Sequence, residues 1–166
     1  MMTALPVTLS LVPVPKPDDV NVIIGQAHFI KTVEDLHEAI VGVGAQLRFG
    51  IAFCEPSGER LVRTSGNDES LGALATGAAQ RIAAGHCFVV MLADGFPVNV
   101  LAPIRAVAEV CTVFCATANE VDVVVASSAR GRGIVGVIDG EPPVGVEDTA
   151  ARARRHDLLR AIGYKL

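Results

Sequence analysis

The chain has 166 residues, the size of one ordinary domain, and its net charge of -4 comes from intermixed arginines and acids, which leaves no broad basic surface for a nucleic-acid backbone. It is 51% hydrophobic but only 4% aromatic, with a mean hydropathy of +0.45, so its core is aliphatic and rich in β-branched residues. No apolar run reaches the roughly 18 residues needed to cross a bilayer, because Asp, Glu, Arg or Gly interrupts each one, and a membrane span is excluded. Residues 1–15 are apolar but lack a basic leading segment and are broken by Pro6, Pro13 and Pro15, which argues against a secretory signal and for a cytoplasmic protein. Within the opening segment, 1–19, residues 8–14 are expected to form an edge strand, where prolines are tolerated, followed by a linker.

The apolar run 20–30 predicts a buried strand ending near residues 25–28. A helix is expected next, with Thr32 and Asp35 in a capping arrangement and Val33, Leu36, Ala39 and Ile40 on its apolar stripe. Residues 47–54 and 60–64 read as a hairpin around the turn Glu55-Pro56-Ser57-Gly58. Asn67 or Asp68 then caps a helix whose Leu71, Leu74, Ala75, Ala78 and Ile82 face the core, and Gly85 stops it. The same order follows again: a strand over 87–92, a helix from Pro97 or Asn99 to about 109, a strand over 112–116, a turn at 117–120 and a strand over 121–127. An Arg-Gly-Arg-Gly segment and an apolar run at 134–138 are added before a final helix over 147–162. Phe53, Cys54, Glu59 and Val62 repeat at the spacing of Phe114, Cys115, Glu120 and Val123. The pattern therefore predicts a single α/β domain over 1–166, built from two similar β-α-β-β-α halves, 20–85 and 86–166, that form a mixed sheet covered by helices. Cys54, Cys87, Cys111 and Cys115 lie in apolar stretches without a Cys-x-x-Cys pair and read as reduced, buried thiols rather than a zinc site.

Ligands of such folds gather at strand ends, and four polar clusters fall there. Gln26, His28 and Lys31 combine groups that read a base or ribose edge with an ammonium for phosphate, against the alternative of a capped strand end. Ser65, Gly66, Asn67 and Asp68 enter a helix N-terminus whose free N–H groups suit phosphate, although Asp68 and Glu69 would repel an anion unless magnesium intervenes. Thr117, Asn119 and Glu120 form a turn, and Asn99 and Glu109 bound the preceding helix. Arg130, Gly131, Arg132 and Gly133, with Asp139 and Gly140, could hold phosphate or could form a plain glycine-rich hairpin. His86 begins a strand and reads as hydrogen-bonded, whereas His37 and His156 read as surface residues. The chain is read as carrying no P-loop, no protein-kinase motif set and no Gly-x-Gly-x-x-Gly following a strand.

At these clusters the sequence resembles the adenosine-specific kinase family. The resemblance is carried by NVIIGQAHFIKTVEDL at 21–36, residues 49–53 and 65–68, Gly85-His86, PVNVL at 97–101, CATAN at 115–119, GRGIVGVIDG at 131–140 and LRAIGYK at 159–165. Glu120 departs from the family pattern, which has Pro there. The resemblance implies a three-layer α/β/α fold, a homo-oligomer that is a trimer, and binding of adenosine or AMP. It further implies transfer of a phosphoryl group from a nucleoside triphosphate to the ribose 5′-hydroxyl with Mg2+. On that basis Lys31, Asp68 and Asp139 are the catalytic candidates, with the two aspartates as magnesium ligands. Gln26, His28, Asn67, Asn99 and Asn119 are assigned to the nucleoside, and Arg130, Gly131, Arg132 and Gly133 to phosphate. A noncatalytic adenosine or AMP sensor, and a structural oligomer that binds no nucleoside, are the competing classes.

Overall fold

The computed structural model describes residues 6–166. The first five residues of the expected N-terminal segment lie outside them. In chain order the elements are β1 (Thr8–Pro13), β2 (Asn21–Ala27), α1 (Thr32–Val41), β3 (Arg48–Cys54), β4 (Val62–Gly66), α2 (Glu69–Ile82), β5 (Cys87–Ala93), α3 (Pro97–Ala106), β6 (Val110–Thr117), β7 (Val121–Ser127), β8 (Arg132–Asp139) and α4 (Thr149–Ala161). The protein is α/β, with four helices and two sheets. No helix of the described residues is long and apolar enough to cross a membrane.

The expected single mixed sheet is replaced by two antiparallel ones. The larger has the order β4-β3-β5-β2-β6 and the smaller β1-β7-β8. Strands β2 and β3 run parallel, as a strand–helix–strand unit requires, but β5 inserts between them and pairs antiparallel with both. The four strands β3-β5-β2-β6 keep their order when β2 and β3 are exchanged with β5 and β6. The exchange fails further out, because β4 extends the large sheet whereas β7 leaves it to pair with β1 and β8.

The central strands are buried on both faces. On one face Ile23, Phe49, Ile51, Phe53, Phe88 and Val90 pack with Leu36 and Ile40 of α1 and Val100 and Ile104 of α3. On the other, Ile24, Ala52, Val89 and Met91 meet Leu71, Ala75, Ala78 and Ile82 of α2, together with Val12, Val123 and Val125 of the small sheet. Each Cβ-deep contact removes aliphatic surface from water at roughly 25 cal/mol per Å2, and this burial selects the strand faces. Helix α4 buries none of its residues.

Several local expectations are corrected. Thr32 does not cap α1; Lys31 occupies that position, and the Thr32 hydroxyl donates to the Phe29 carbonyl at 2.5 Å. Helix α2 ends on Ala83 in the left-handed region, two residues before the expected Gly85. Helix α3 stops at Ala106, short of 109, so Glu109 stands at the entry to β6. Ser65 and Gly66 belong to β4 rather than to a turn. His37 is half-buried, its Nδ1 2.8 Å from the Ser65 hydroxyl. Of the four thiols three are buried and Cys111 is exposed, because the β6 residues Cys111 and Thr112 precede the part of the strand that enters the core.

Candidate functional site

The antiparallel order divides the expected site residues between the two ends of the large sheet, about 20 Å apart along a seven-residue strand. Asn67, Asp68, Asn99, Asn119 and Asp139 lie where β2 and β3 begin, and Gln26, His28 and Lys31 lie where β2 ends. Arg130, Gly131, Arg132 and Gly133 join the second group through the β7–β8 hairpin, which reaches Gln26 and Gly85.

At the first end the polar groups are spent on the fold. Asn67 accepts from the Phe49 N–H at 2.8 Å and donates to the Leu47 carbonyl at 2.8 Å, closing the edge between β3 and β4. Asn99 accepts from the Phe96 N–H at 2.8 Å and starts α3. Thr117 and Asn119 donate to the same Asp139 oxygen at 2.8 and 3.0 Å, and the Asn119 N–H donates to the Thr117 hydroxyl, so the CATAN turn is fastened to the end of β8. Asp68 caps α2: its Oδ1 accepts from Ser70 at 2.5 Å and from the Leu71 N–H at 2.9 Å, and its Oδ2 accepts from Arg48 Nε at 3.0 Å. The Ser70 hydroxyl and the Leu71 N–H, reinforced by Arg48, hold the Asp68 carboxyl down to about 2.

These carboxylates do not fit a shared magnesium site within one chain. Asp68 follows the edge strand β4, its oxygens already engaged, whereas Asp139 is tied to β6 at the opposite edge. Among the described residues no group of three or more His, Cys, Asp or Glu side chains converges.

At the other end, Lys31 Nζ is gripped between Asp35, one turn along α1, and the buried Glu109, 2.5 Å away. The Asp35 and Glu109 carboxylates both raise its pKa, so the ammonium is permanently charged. The second Glu109 oxygen is buried without a partner. The His28 N–H donates to the Glu109 carbonyl at 3.1 Å, and its ring lies beside Phe29. Helix α1 covers the opposite sheet face from the β7–β8 hairpin, so Lys31 and Arg132 serve different faces.

The hairpin forms one wall of a cleft of about 810 Å3. The C-terminal half of α2 (Thr76, Ala79, Gln80, Ala83) forms the second wall, and the β3–β4 turn (Glu55, Pro56, Arg60, Leu61) the third. A small adjoining cavity of about 60 Å3 shares Ala84, Gly85 and Arg132 with it and brings in Gln26 and Phe114. Three guanidiniums border the cleft, Arg60, Arg130 and Arg132, and among the described residues none has an ion-pair partner. Arg132 Nε is buried with no acceptor. The one lining carboxylate, Glu55, shares the Arg63 guanidinium with Glu59, each at 2.9 Å. Burial pushes the Cys54 thiol at the cleft wall up to about 11, so it lines the cleft as an inert neutral group.

Arg60 was absent from the sequence candidates. Its signal was the 55–60 turn, where Arg60 itself takes a positive φ of 56°, but only the strand order shows that this turn faces Arg130 and Arg132. Contrary to the expectation that no Gly-x-Gly-x-x-Gly follows a strand, Gly131, Gly133 and Gly136 have that spacing just after β7, yet they run into β8 and present no helix N-terminus.

A cleft of this volume, bordered by three guanidiniums without ion-pair partners among the described residues, is a concentration of positive charge at this end of an α/β protein. The chain belongs to the adenosine-specific kinase family, whose profile matches residues 12–165. It is also similar to the crystal structure of the PH1918 protein from Pyrococcus horikoshii OT3: identity is 38%, the TM-score is 0.92, and the match covers 96% of this chain and 99% of that one. No curated protein matches the chain.

Proposed function

We propose that the protein binds adenosine and AMP and acts as an adenosine-specific kinase, with phosphate held in the cleft between α2 and the β7–β8 hairpin. The observation that carries this reading is the unpaired trio Arg60, Arg130 and Arg132 around a nucleotide-sized cleft. Phosphoryl transfer spreads negative charge over the equatorial oxygens of the moving group, and guanidiniums without carboxylate partners are free to meet it. Gln26, which lines the cleft's narrow extension, hydrogen-bonds a base or ribose edge in this reading. Family membership supports a nucleotide donor and a metal; the donor is a nucleoside triphosphate and the metal Mg2+ in this reading.

The division of the candidate residues favours a homo-oligomer, a trimer by family resemblance, in which the Asp68 or Asp139 end of one subunit meets the arginine cleft of the next. Leu9, Leu11, Val135 and Ile138, exposed on the small sheet, supply apolar surface for that association. A noncatalytic adenosine or AMP sensor is the second reading. It is favoured by the engagement of both Asp68 oxygens, and one Asp139 oxygen, in fastening the fold.

Calorimetric titration with adenosine, AMP, ATP and guanosine, with and without magnesium, tests the binding. Selective adenine-nucleoside binding is the expected result, and binding to none of the four overturns the reading. Saturable ADP production that depends on both adenosine and magnesium then separates the kinase from the sensor.

A further inference from the structure

A second concavity lies on the other flank of α2. It is a groove of about 760 Å3 between that helix and the segment 15–20 that joins β1 to β2. Its floor is apolar, with Val20, Leu71 and Leu74, and Pro15 and Pro17 stiffen the rim. Its polar lining is mainly cationic, with Lys16, Arg48 and Arg81 set against the single carboxylate of Asp19.

The three cations are not equivalent. Arg48 is already shared between Asp68 at 3.0 Å and Asp94 at 3.3 Å. Lys16 is half-buried and donates only to the neutral Ala118 carbonyl at 2.5 Å, so its charge is uncompensated. Arg81 has no ion pair among the described residues, and its guanidinium lies back over Gly77, where a Cβ would come within 3.3 Å of Nη1. That placement follows from helix geometry, in which side chains lean toward the N-terminus and cover the preceding turn. Gly77 thus lets the guanidinium lie close to the helix at the groove's edge, beside the exposed Ala73. Lys16 and Arg81, neither in an ion pair among the described residues, outnumber the one lining carboxylate, Asp19.

We propose that this groove is a binding site for an amphipathic organic anion, a molecule with an apolar body and one carboxylate, sulfonate or phosphate. The anionic group pairs with the Arg81 guanidinium, with Lys16 adding to the positive potential, and the body lies on Leu74, Ala73 and the rings of Pro15 and Pro17. The site is separate from the arginine cleft, since α2 stands between them and presents Thr76, Ala79 and Gln80 to the one and Ser70, Ala73 and Gly77 to the other.

The test is amide chemical-shift mapping of the full chain with 8-anilinonaphthalene-1-sulfonate as the probe, for the wild type and for Arg81→Glu and Ala73→Trp. Arg81→Glu reverses the paired charge. Ala73→Trp fills the groove from an exposed helix position without touching the core. The expected result is saturable shifts at Ser70, Ala73, Gly77 and Lys16, with affinity lowered about tenfold or more by Arg81→Glu, the scale of a lost charge-assisted hydrogen bond, and abolished by Ala73→Trp. Shifts centred instead on Leu9, Leu11 and Val135 of the small sheet, or an affinity that neither folded variant changes, would overturn the proposal. Amide spectra of the free variants that superimpose on the wild type outside α2 establish that each is folded.

Discussion

Helix α2 walls both concavities, and its seat on the sheet depends on one glycine of β3. Gly50 on β3 faces the first turn of α2 so closely that a Cβ added there would lie 2.2 Å from the Gly72 nitrogen and 2.3 Å from the Leu71 carbonyl carbon. Ordinary contact begins at 3.4 Å, and the obstructing atoms are helix backbone, which cannot swing aside. The Gly50→Ala variant must therefore push the start of α2 away from β3 by about an ångström, which drags the helix's own Leu71 and Ala75 out of their seats in the core. Overpacking of this kind costs about 1–3 kcal/mol, which for a domain of this length lowers Tm by roughly 3–10 °C. Gly72 carries the opposite prediction although it belongs to the same contact. Its own Cβ would meet nothing within 4 Å, because it points away from β3. Gly72→Ala removes a flexible residue from a helix interior and should stabilise the protein by about 0.5–1 kcal/mol.

Thermal denaturation of the two variants beside the wild type is the assay, with AMP titration as the second readout. Gly50→Ala should lose Tm and weaken AMP binding together, since the shift carries Thr76, Ala79 and Gln80 with it. Gly72→Ala should raise Tm and leave AMP binding in place. Equal Tm values for Gly50→Ala and wild type would refute the claim that close backbone approach sets the position of α2.

Three further outcomes follow from the same geometry. Arg132→Ala should weaken AMP binding by about 10- to 150-fold, the range of a lost hydrogen bond between charged groups, whereas Arg105→Ala, exposed on α3, should leave calorimetric affinity unchanged; equal losses from the two would remove the cleft from the binding account. Asp68 has a folded pKa of about 2, below its unfolded value near 4, so its capping contribution is complete above pH 4 and is lost as pH falls toward 2. Melting curves across that window should fall more steeply for the wild type than for Asp68→Asn, and parallel curves would contradict the cap. Finally, a thiol reagent at neutral pH should modify Cys111 quickly and the other cysteines slowly, because burial raises Cys54 and Cys115 to about 11 and Cys87 further still. Mass spectrometry finding rapid label on Cys87 would show that the core opens.

The elements themselves were largely legible in the sequence. The apolar runs that became β2, β3 and β5, and the stripe of α2, are set by burial, which hydrophobic periodicity reports directly. Strand order was not legible. A strand–helix–strand unit fixes direction but not adjacency, and nothing in residues 20–54 signals that β5 will enter between β2 and β3. Local caps also escaped where two partners competed. Asp35 was expected to serve the start of α1, but it pairs with Lys31, whose ammonium is the stronger partner.

The same distinction separates turn residues that fasten the fold from those available to a ligand. Asn67, Asn99, Asn119 and Asp139 occupy strand ends and turns, as binding groups do, but Asn67 and Asn99 partner backbone groups there, and Asn119 and Asp139 bond to each other across the turn. Asparagine and aspartate meet the fold's own demand for such partners with short, fixed reach, so their presence at a turn reports the demand as readily as a ligand. Arginine on a hairpin cannot satisfy a neighbouring N–H, since it only donates. Arg130 and Arg132 therefore have no equivalent use in closing the β7–β8 turn, which Ser128 already fastens through the Arg130 N–H at 3.2 Å and the Gly131 carbonyl at 2.9 Å. Charge placed on a turn that does not need it, beside a buried guanidinium nitrogen with no acceptor, is the feature that favours the hairpin over the asparagines as the part of the sequence aimed at a ligand.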